Sequence, residues 1–167
     1  KDRLSQEGVT VEAIEGISYA FALSGFDYLA GLGSFQDGWF YVQDISSMTV
    51  AHAADPKKGD YIIDVCAAPG GKSSHLAELL DGSGMVEARD LTEYKVGLIE
   101  ENILRHDLHN MKAVQQDATL FDEASVEKAD ILICDLPCSG LGVIGRKSDI
   151  RYKMTAEKAH DLAVLQQ

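Results

Sequence analysis

The stretch "IIDVCAAPGGKSSHLAEL", Ile62 to Leu79, joins a β-branched apolar run, a glycine-bearing turn and an amphipathic helical pattern. Tyr61 to Val65 is continuously apolar apart from Asp64, as in a strand buried on both faces, and such strands lie in sheets flanked by helices. Pro69, Gly70 and Gly71 allow a sharp bend and a close approach of backbone to ligand, and a helix from about Lys72 presents its unpaired N–H groups at that bend. Such a turn binds something polar. A phosphate loop of the nucleoside-triphosphate type needs a glycine five residues before Gly71, where Cys66 stands. No G-x-G-x-x-G fingerprint occurs between Cys66 and Ser74 either. A strand-to-helix turn with glycines for backbone geometry alone would look the same in isolation. The rest of the chain decides between these readings.

From Gln43 onward the pattern alternates. Asp44 is placed to cap a helix running to about Ala54, which Asp55 and Pro56 stop before the strand at Tyr61. The helix of Lys72 to Leu80 is followed by a strand at Met85 to Asp90, and Thr92 caps a long helix to about His106. A third strand is expected at Lys112 to Gln116 and a fourth at Ala129 to Asp135, then a long loop and a helix capped by Thr155. Four strands separated by helices predict an α/β fold with a parallel, doubly wound sheet, whose ligand crevice lies beyond the strands' carboxyl ends. The first 37 residues read differently. "GVTVEA" and "ISYAFALSG" are short strand-like runs, and "KDRLSQEG" resembles the end of a helix closed by Gly8. They are expected to form the end of a small α+β lobe whose beginning lies upstream, with a second domain over residues 38–167.

Each predicted strand ends in the glycine turn or an acid: Cys66 to Lys72 after the first, Asp90, Asp117 and Asp135 after the others. An acid about 20 residues past the turn suits the two hydroxyls of a ribose. Asp117 could accept from the exocyclic amine of adenine, and Asp135 could face an ammonium. Ribose, adenine and ammonium together describe S-adenosyl-L-methionine. Any one of these aspartates alone would read as a turn or cap residue, but their shared register points to a site.

Composition sets the limits. The 167 residues are 46% hydrophobic and 25% charged, an ordinary soluble composition. No apolar run reaches the roughly 18 residues of a membrane span, and the start lacks a signal peptide's apolar core, so a cytoplasmic location without membrane contact is expected. Cys66, Cys134 and Cys138 suit reduced thiols, and no second Cys or His pair completes a metal site. A net charge of -12 argues against nucleic-acid binding through the overall field. The charge is uneven, however: "IGRKSDIRYKMTAEK", Ile144 to Lys158, is a local basic segment, either a solvated loop or a patch for phosphates.

"WFYVQDISS", "DVCAAPGGKSSHLAEL", "QDATLFD" and "ILICDLPCSGLGVIGRKSDIRYK" together resemble the Sun/Fmu type of ribosomal RNA cytosine-5 methyltransferase, within the Nop/Sun group of RNA methyltransferases. The resemblance covers about Gly38 to Gln167 and implies a Rossmann-like, S-adenosylmethionine-dependent domain preceded by an RNA-recognition-like lobe. It implies that Cys66, Ala67, Ala68, Pro69, Gly70, Gly71 and Lys72 wrap the methionine and ribose of the cofactor. Asp90 would bind ribose, Asp117 would lie at the adenine, and Asp135 would lie near the reactive end. It also implies ribosomal RNA as partner, and the local basic residues Arg146, Lys147, Arg151 and Lys153 would then hold its phosphates beside the site. Cys138, where adenine methyltransferases of this fold carry an aromatic residue, points to carbon methylation. In this family the attacking thiol sits in a later Thr-Cys-Ser type motif and the motif-four cysteine assists breakdown of the covalent adduct. On that basis the chain is expected to be C-terminally incomplete, with Cys138 in the assisting role and no turnover by these residues alone. One departure is "MVEARD", with Glu87 and Arg89 where small or apolar residues are usual; a buried Arg89 would need a partner.

Overall fold

The computed structural model describes residues 1–145 and 148–167. The chain opens with α1 (Asp2–Gln6), closed by Gly8 at φ +81°. Next come β1 (Thr10–Ala13) and β2 (Phe21–Ser24), an antiparallel pair, and a short α2 (Gly33–Gln36). The main body follows as α3 (Ile45–Ala54), β3 (Tyr61–Asp64), α4 (Gly71–Leu79), β4 (Met85–Asp90), α5 (Glu93–His106), β5 (Met111–Gln115) and β6 (Ile131–Ile133). Two helices close it, α6 (Ile150–Lys153) and α7 (Ala156–Leu165). Thr92 and Thr155 accept from the N–H groups of Lys95 and Lys158, as their capping positions predict.

β3 to β6 form one parallel sheet in the order β5-β4-β3-β6. The chain steps outward from β3 to β5 and then returns to the other side of β3. This reversal is the doubly wound switch, and it opens a crevice between the carboxyl ends of β3 and β6. Right-handed crossovers put connections of opposite direction on opposite faces. Accordingly, α3, α4 and α5 bury Ala51, Leu76, Leu80 and Ile99 against Ile62, Val86, Ala88 and Met111. The return segment, residues 116–130, reaches the other face, where the alternate β4 residues Glu87 and Arg89 point.

Several predicted boundaries move. β6 spans Ile131–Ile133 rather than Ala129 to Asp135. The Asp130 carboxylate accepts from the Tyr61 N–H at 2.8 Å, and the chain leaves β3 after Val65 N–H donates to Ile133 O at 3.1 Å. Asp135 therefore lies in a loop. β5 begins one residue early, at Met111, while Gln116 N–H still donates to Asp90 O at 3.0 Å. α4 starts at Gly71, and α6 occupies part of the expected long loop.

The N-terminal hairpin is tied to the body at Tyr19, whose hydroxyl lies 2.7 Å from His52 Nε2 on α3 and 2.8 Å from His75 Nε2 on α4. His75 Nδ1 is buried without a partner among the described residues. A buried N–H left unbonded costs more than a lone pair left unbonded, so His75 donates from Nε2 to Tyr19, and Tyr19 donates to His52.

Candidate functional site at the carboxyl ends of the strands

The turn after β3 is held from below. Asp64 and Ser73 are both buried, and Ser73 Oγ donates to Asp64 Oδ2 at 2.6 Å. Burial pushes the Asp64 carboxyl above the ordinary carboxylate range, against the pull of Ser73 and of the Cys66 N–H at 3.4 Å. Ala67 N–H donates to Arg89 O at 2.8 Å and Gly70 N–H to Ala67 O at 2.7 Å. Gly70 has φ +108°, a conformation in which any side chain is strained. Burial, then the nearby Asp90 carboxylate, pushes the Cys66 thiol up, so this cysteine is not an activated thiolate.

The four strand-end features come together in part. Asp90, 2% exposed, accepts from Ala68 N–H (3.1 Å), Leu91 N–H (2.8 Å) and Lys95 Nζ (3.0 Å). It thus joins the end of β4 to the glycine turn. Asp135, read in the sequence as facing a ligand ammonium, pairs in the structure with the chain's own Lys72, whose Nζ lies 2.6 Å from Asp135 Oδ2 across the β3/β6 crevice. A cleft of ≈ 240 Å³ there is lined by Gln43, Ser47, Asp64, Cys66, Lys72 and Asp135. Asp117 sits two residues past β5 and accepts from Thr119 N–H at 2.9 Å and Thr119 Oγ1 at 2.7 Å. These bonds hold its carboxyl below the ordinary range. Among the described contacts it touches neither the turn nor Asp90, so its local role is an Asx turn.

Cys138 is exposed in the loop after β6, and Cys134 is exposed one residue before Asp135. Arg151 and Lys153 are exposed on α6, with Lys153 Nζ 2.7 Å from Asp149. Arg146 and Lys147 lie outside the described residues.

Three contributors carry no role in the sequence reading. Gln43 Nε2 is buried without a partner among the described residues and lies 3.5 Å from where a Cβ on Gly71 would stand. Lys95 pairs with Asp90 from the first turn of α5, and Asp64 braces the turn from beneath. Gln43 could have been singled out as the polar residue of "WFYVQDISS" facing the turn; Asp64, as the one charge in an apolar strand.

Taken together, the site has a braced glycine turn, a buried acid 22 residues from Ala68 and an acid–lysine pair at the topological switch. Comparison with known proteins shows the family and the fold. The model of the family described as 16S rRNA methyltransferase RsmB/F matches residues 51–167. The chain is 41% identical over 166 residues to a probable ribosomal RNA small subunit methyltransferase B of Bacillus subtilis, covering 99% of this chain and 37% of that protein. It is 40% identical over 134 residues to a tRNA (cytosine(72)-C(5))-methyltransferase of Pyrococcus horikoshii, covering 79% and 34%. It thus spans little more than a third of these relatives. Among solved structures, a methyltransferase homolog protein of Pyrococcus horikoshii superposes with TM-score 0.75 at 31% identity, over 90% of this chain and 50% of that one. NSun6 from Pyrococcus horikoshii, solved with SFG, gives TM-score 0.62 at 38% identity, over 73% and 33%. The chain belongs to the 16S rRNA methyltransferase RsmB/F family.

Proposed function

We propose that this chain is the S-adenosylmethionine-binding part of an enzyme that transfers a methyl group to C5 of a cytosine in small-subunit (16S) ribosomal RNA. The observation that carries the proposal is the buried Asp90 carboxylate bonded to the glycine turn at Ala68, which ties the ends of two parallel strands together. The residues present fit the cofactor. The buried, unpartnered Gln43 amide and the N-terminus of α4 offer donors beside Lys72, and the acids offer acceptors. S-adenosylmethionine supplies an electrophilic methyl on a sulfonium sulfur. Cys66 to Lys72 enclose its methionine and ribose portions, Asp90 accepts from the ribose hydroxyls and Asp117 accepts from the adenine amine. Asp135, oriented by Lys72, faces the reactive end and the pyrimidine N3.

C5 of a cytosine is a poor nucleophile until a thiolate adds at C6 and makes C5 enamine-like. The exposed Cys138, three residues after Asp135, assists breakdown of that adduct, in which a base takes the C5 proton as the C6–S bond breaks and the thiolate leaves. Reaching both faces of the pyrimidine requires an unstacked base, so the target lies in splayed or accessible RNA. Arg151 and Lys153, with Arg146 and Lys147, hold its phosphates, and residues 1–37 form the edge of an RNA-recognition-like lobe. Equilibrium binding of radiolabelled S-adenosylmethionine against ATP tests the cofactor; preference for ATP would overturn the proposal. Bisulfite sequencing of RNA from a deletion strain tests the substrate. Loss of a methylcytosine from tRNA instead would favour the second reading, which the 40% identity to a tRNA methyltransferase supports.

A further inference from the structure

The charged pair Glu87 and Arg89 in β4 has a partner set on the far face of the sheet. Arg89 is 7% exposed and donates from Nε to Glu87 Oε1 at 2.6 Å, from Nη1 to Asp122 Oδ2 at 3.1 Å and from Nη2 to Ser125 Oγ at 2.6 Å. Glu87 in turn accepts from Tyr61 Oη at 2.6 Å and pairs with Lys112 Nζ at 2.5 Å. Each of the three guanidinium nitrogens has a partner, and two of the partners are carboxylates, which is what a buried arginine requires.

Asp122 and Ser125 belong to the segment that also carries Asp117. The segment is anchored to β4 at both ends, by Gln116 N–H on Asp90 O at 3.0 Å and by Arg89 on Asp122 and Ser125. Asp122 also accepts from Ser125 Oγ, Ala124 N–H and the Gln116 side chain, which with Arg89 lower its carboxyl to about 2. The main chain of Arg89 accepts from Ala67 in the glycine turn. Residues 89 and 90 of one strand therefore hold the turn, the ribose acid and both ends of the Asp117 segment.

We infer that Arg89 is a positioning residue that sets selectivity for adenine, by clamping the segment of residues 116–125 so that Asp117 stands at a fixed distance from Asp90. This rests on the placement of Asp117 at the adenine amine proposed above. The distance from ribose to that amine is set by the ligand, so two acids on separate connections recognise it only if neither moves.

The test compares S-adenosylhomocysteine with its inosine counterpart, in which an oxo group replaces the 6-amino group, by calorimetric titration of the whole protein. A carboxylate accepts from the amine and repels the oxo group, so the unaltered protein is expected to favour the adenine form by about tenfold or more. Arg89→Met should bring that ratio close to one. Ser125→Ala removes one bond of the clamp without stranding a buried charge and should reduce the ratio severalfold with little change in melting temperature. If both variants weaken the two ligands equally while Asp117→Ala abolishes the preference, the clamp is wrong and the adenine assignment stands. If Asp117→Ala leaves the preference intact, the assignment and the clamp fall together.

Discussion

Replacing Asp90 with alanine removes a carboxylate that serves the ligand and the fold together, and the two losses separate by assay. Toward the ligand, a carboxylate disappears whose fourth acceptor position is open and whose third is held only by the half-exposed Lys95, which the ribose displaces; the two charge-assisted bonds to the ribose hydroxyls are each worth about 1.5 to 3 kcal/mol. Even the lower value for both is about 3 kcal/mol, or roughly 150-fold in the dissociation constant for S-adenosylmethionine. Toward the fold, the N–H groups of Ala68 and Leu91 lose their acceptor at 3.1 and 2.8 Å. Lys95 loses a partner too, but its side chain is half exposed, so that pair contributes about 0 to 1 kcal/mol. A loss of about 3 kcal/mol from the two N–H bonds lowers the melting temperature by about 6 to 12 °C in a domain of this size. Asp90→Asn keeps the shape but turns an amide donor toward Ala68 N–H or Lys95, so it should also weaken the cofactor strongly while costing less stability. The measurements are calorimetric titration with S-adenosylmethionine and a thermal melt of the same samples, with RNA affinity as a control that should not move. An unchanged dissociation constant in Asp90→Ala would refute the ribose placement, whatever happens to the melting temperature.

Charge reversal at Arg151 and Lys153 should weaken RNA binding and flatten its salt dependence by roughly 0.7 to 0.9 in log-log slope per lost contact. An unaltered slope would make α6 a solvated helix. In a complete family enzyme, Cys138→Ala should let a protein–RNA adduct form and persist on a denaturing gel; absence of any adduct would make Cys138 the attacking thiol. Acid should destabilise the fold through His75, whose pKa is lowered by burial and then by nearby His52. With the folded value below the unfolded one, the unfolded chain binds the proton more readily, so stability is lost as pH falls through about 6.5. The drop in melting temperature between pH 7 and 5 should be smaller in His75→Gln, and an equal drop would remove His75 from the account.

The parts of the site written in local chemistry were legible. A strand running into Pro-Gly-Gly, threonines three residues ahead of helical N–H groups and aspartates at strand ends each declare themselves within a few residues, and β4 starts and stops where its pattern says. What depends on distant partners was not. Lys72 and Asp135 are 63 residues apart, and nothing near either one announces the other. The end of β6 is set by where β3 stops offering hydrogen bonds, not by the apolar run Ile131 to Cys134. Asp117 shows the opposite limit: its place after a strand end reads as a ligand site, yet its bonds in the structure are to its own turn. Arg89 broke the expected pattern, and its partners lie 33 and 36 residues onward, on a face that only the strand order reveals.

The bracing of the glycine turn has a kinetic consequence. Its backbone N–H groups are held by Cys66 on Asp64, whose carboxylate Ser73 also grips, by Ala67 on Arg89, by Ala68 on Asp90 and by Gly70 on Ala67, all within the protein itself. Ordering a mobile loop costs about 1 to 2 kcal/mol per residue, and here folding has already met that cost before any ligand arrives. Ligand entry should then be a single step whose observed rate rises linearly with concentration, with no plateau from a slow loop closure. Variation among ligands should appear in how fast they leave rather than in how fast they arrive.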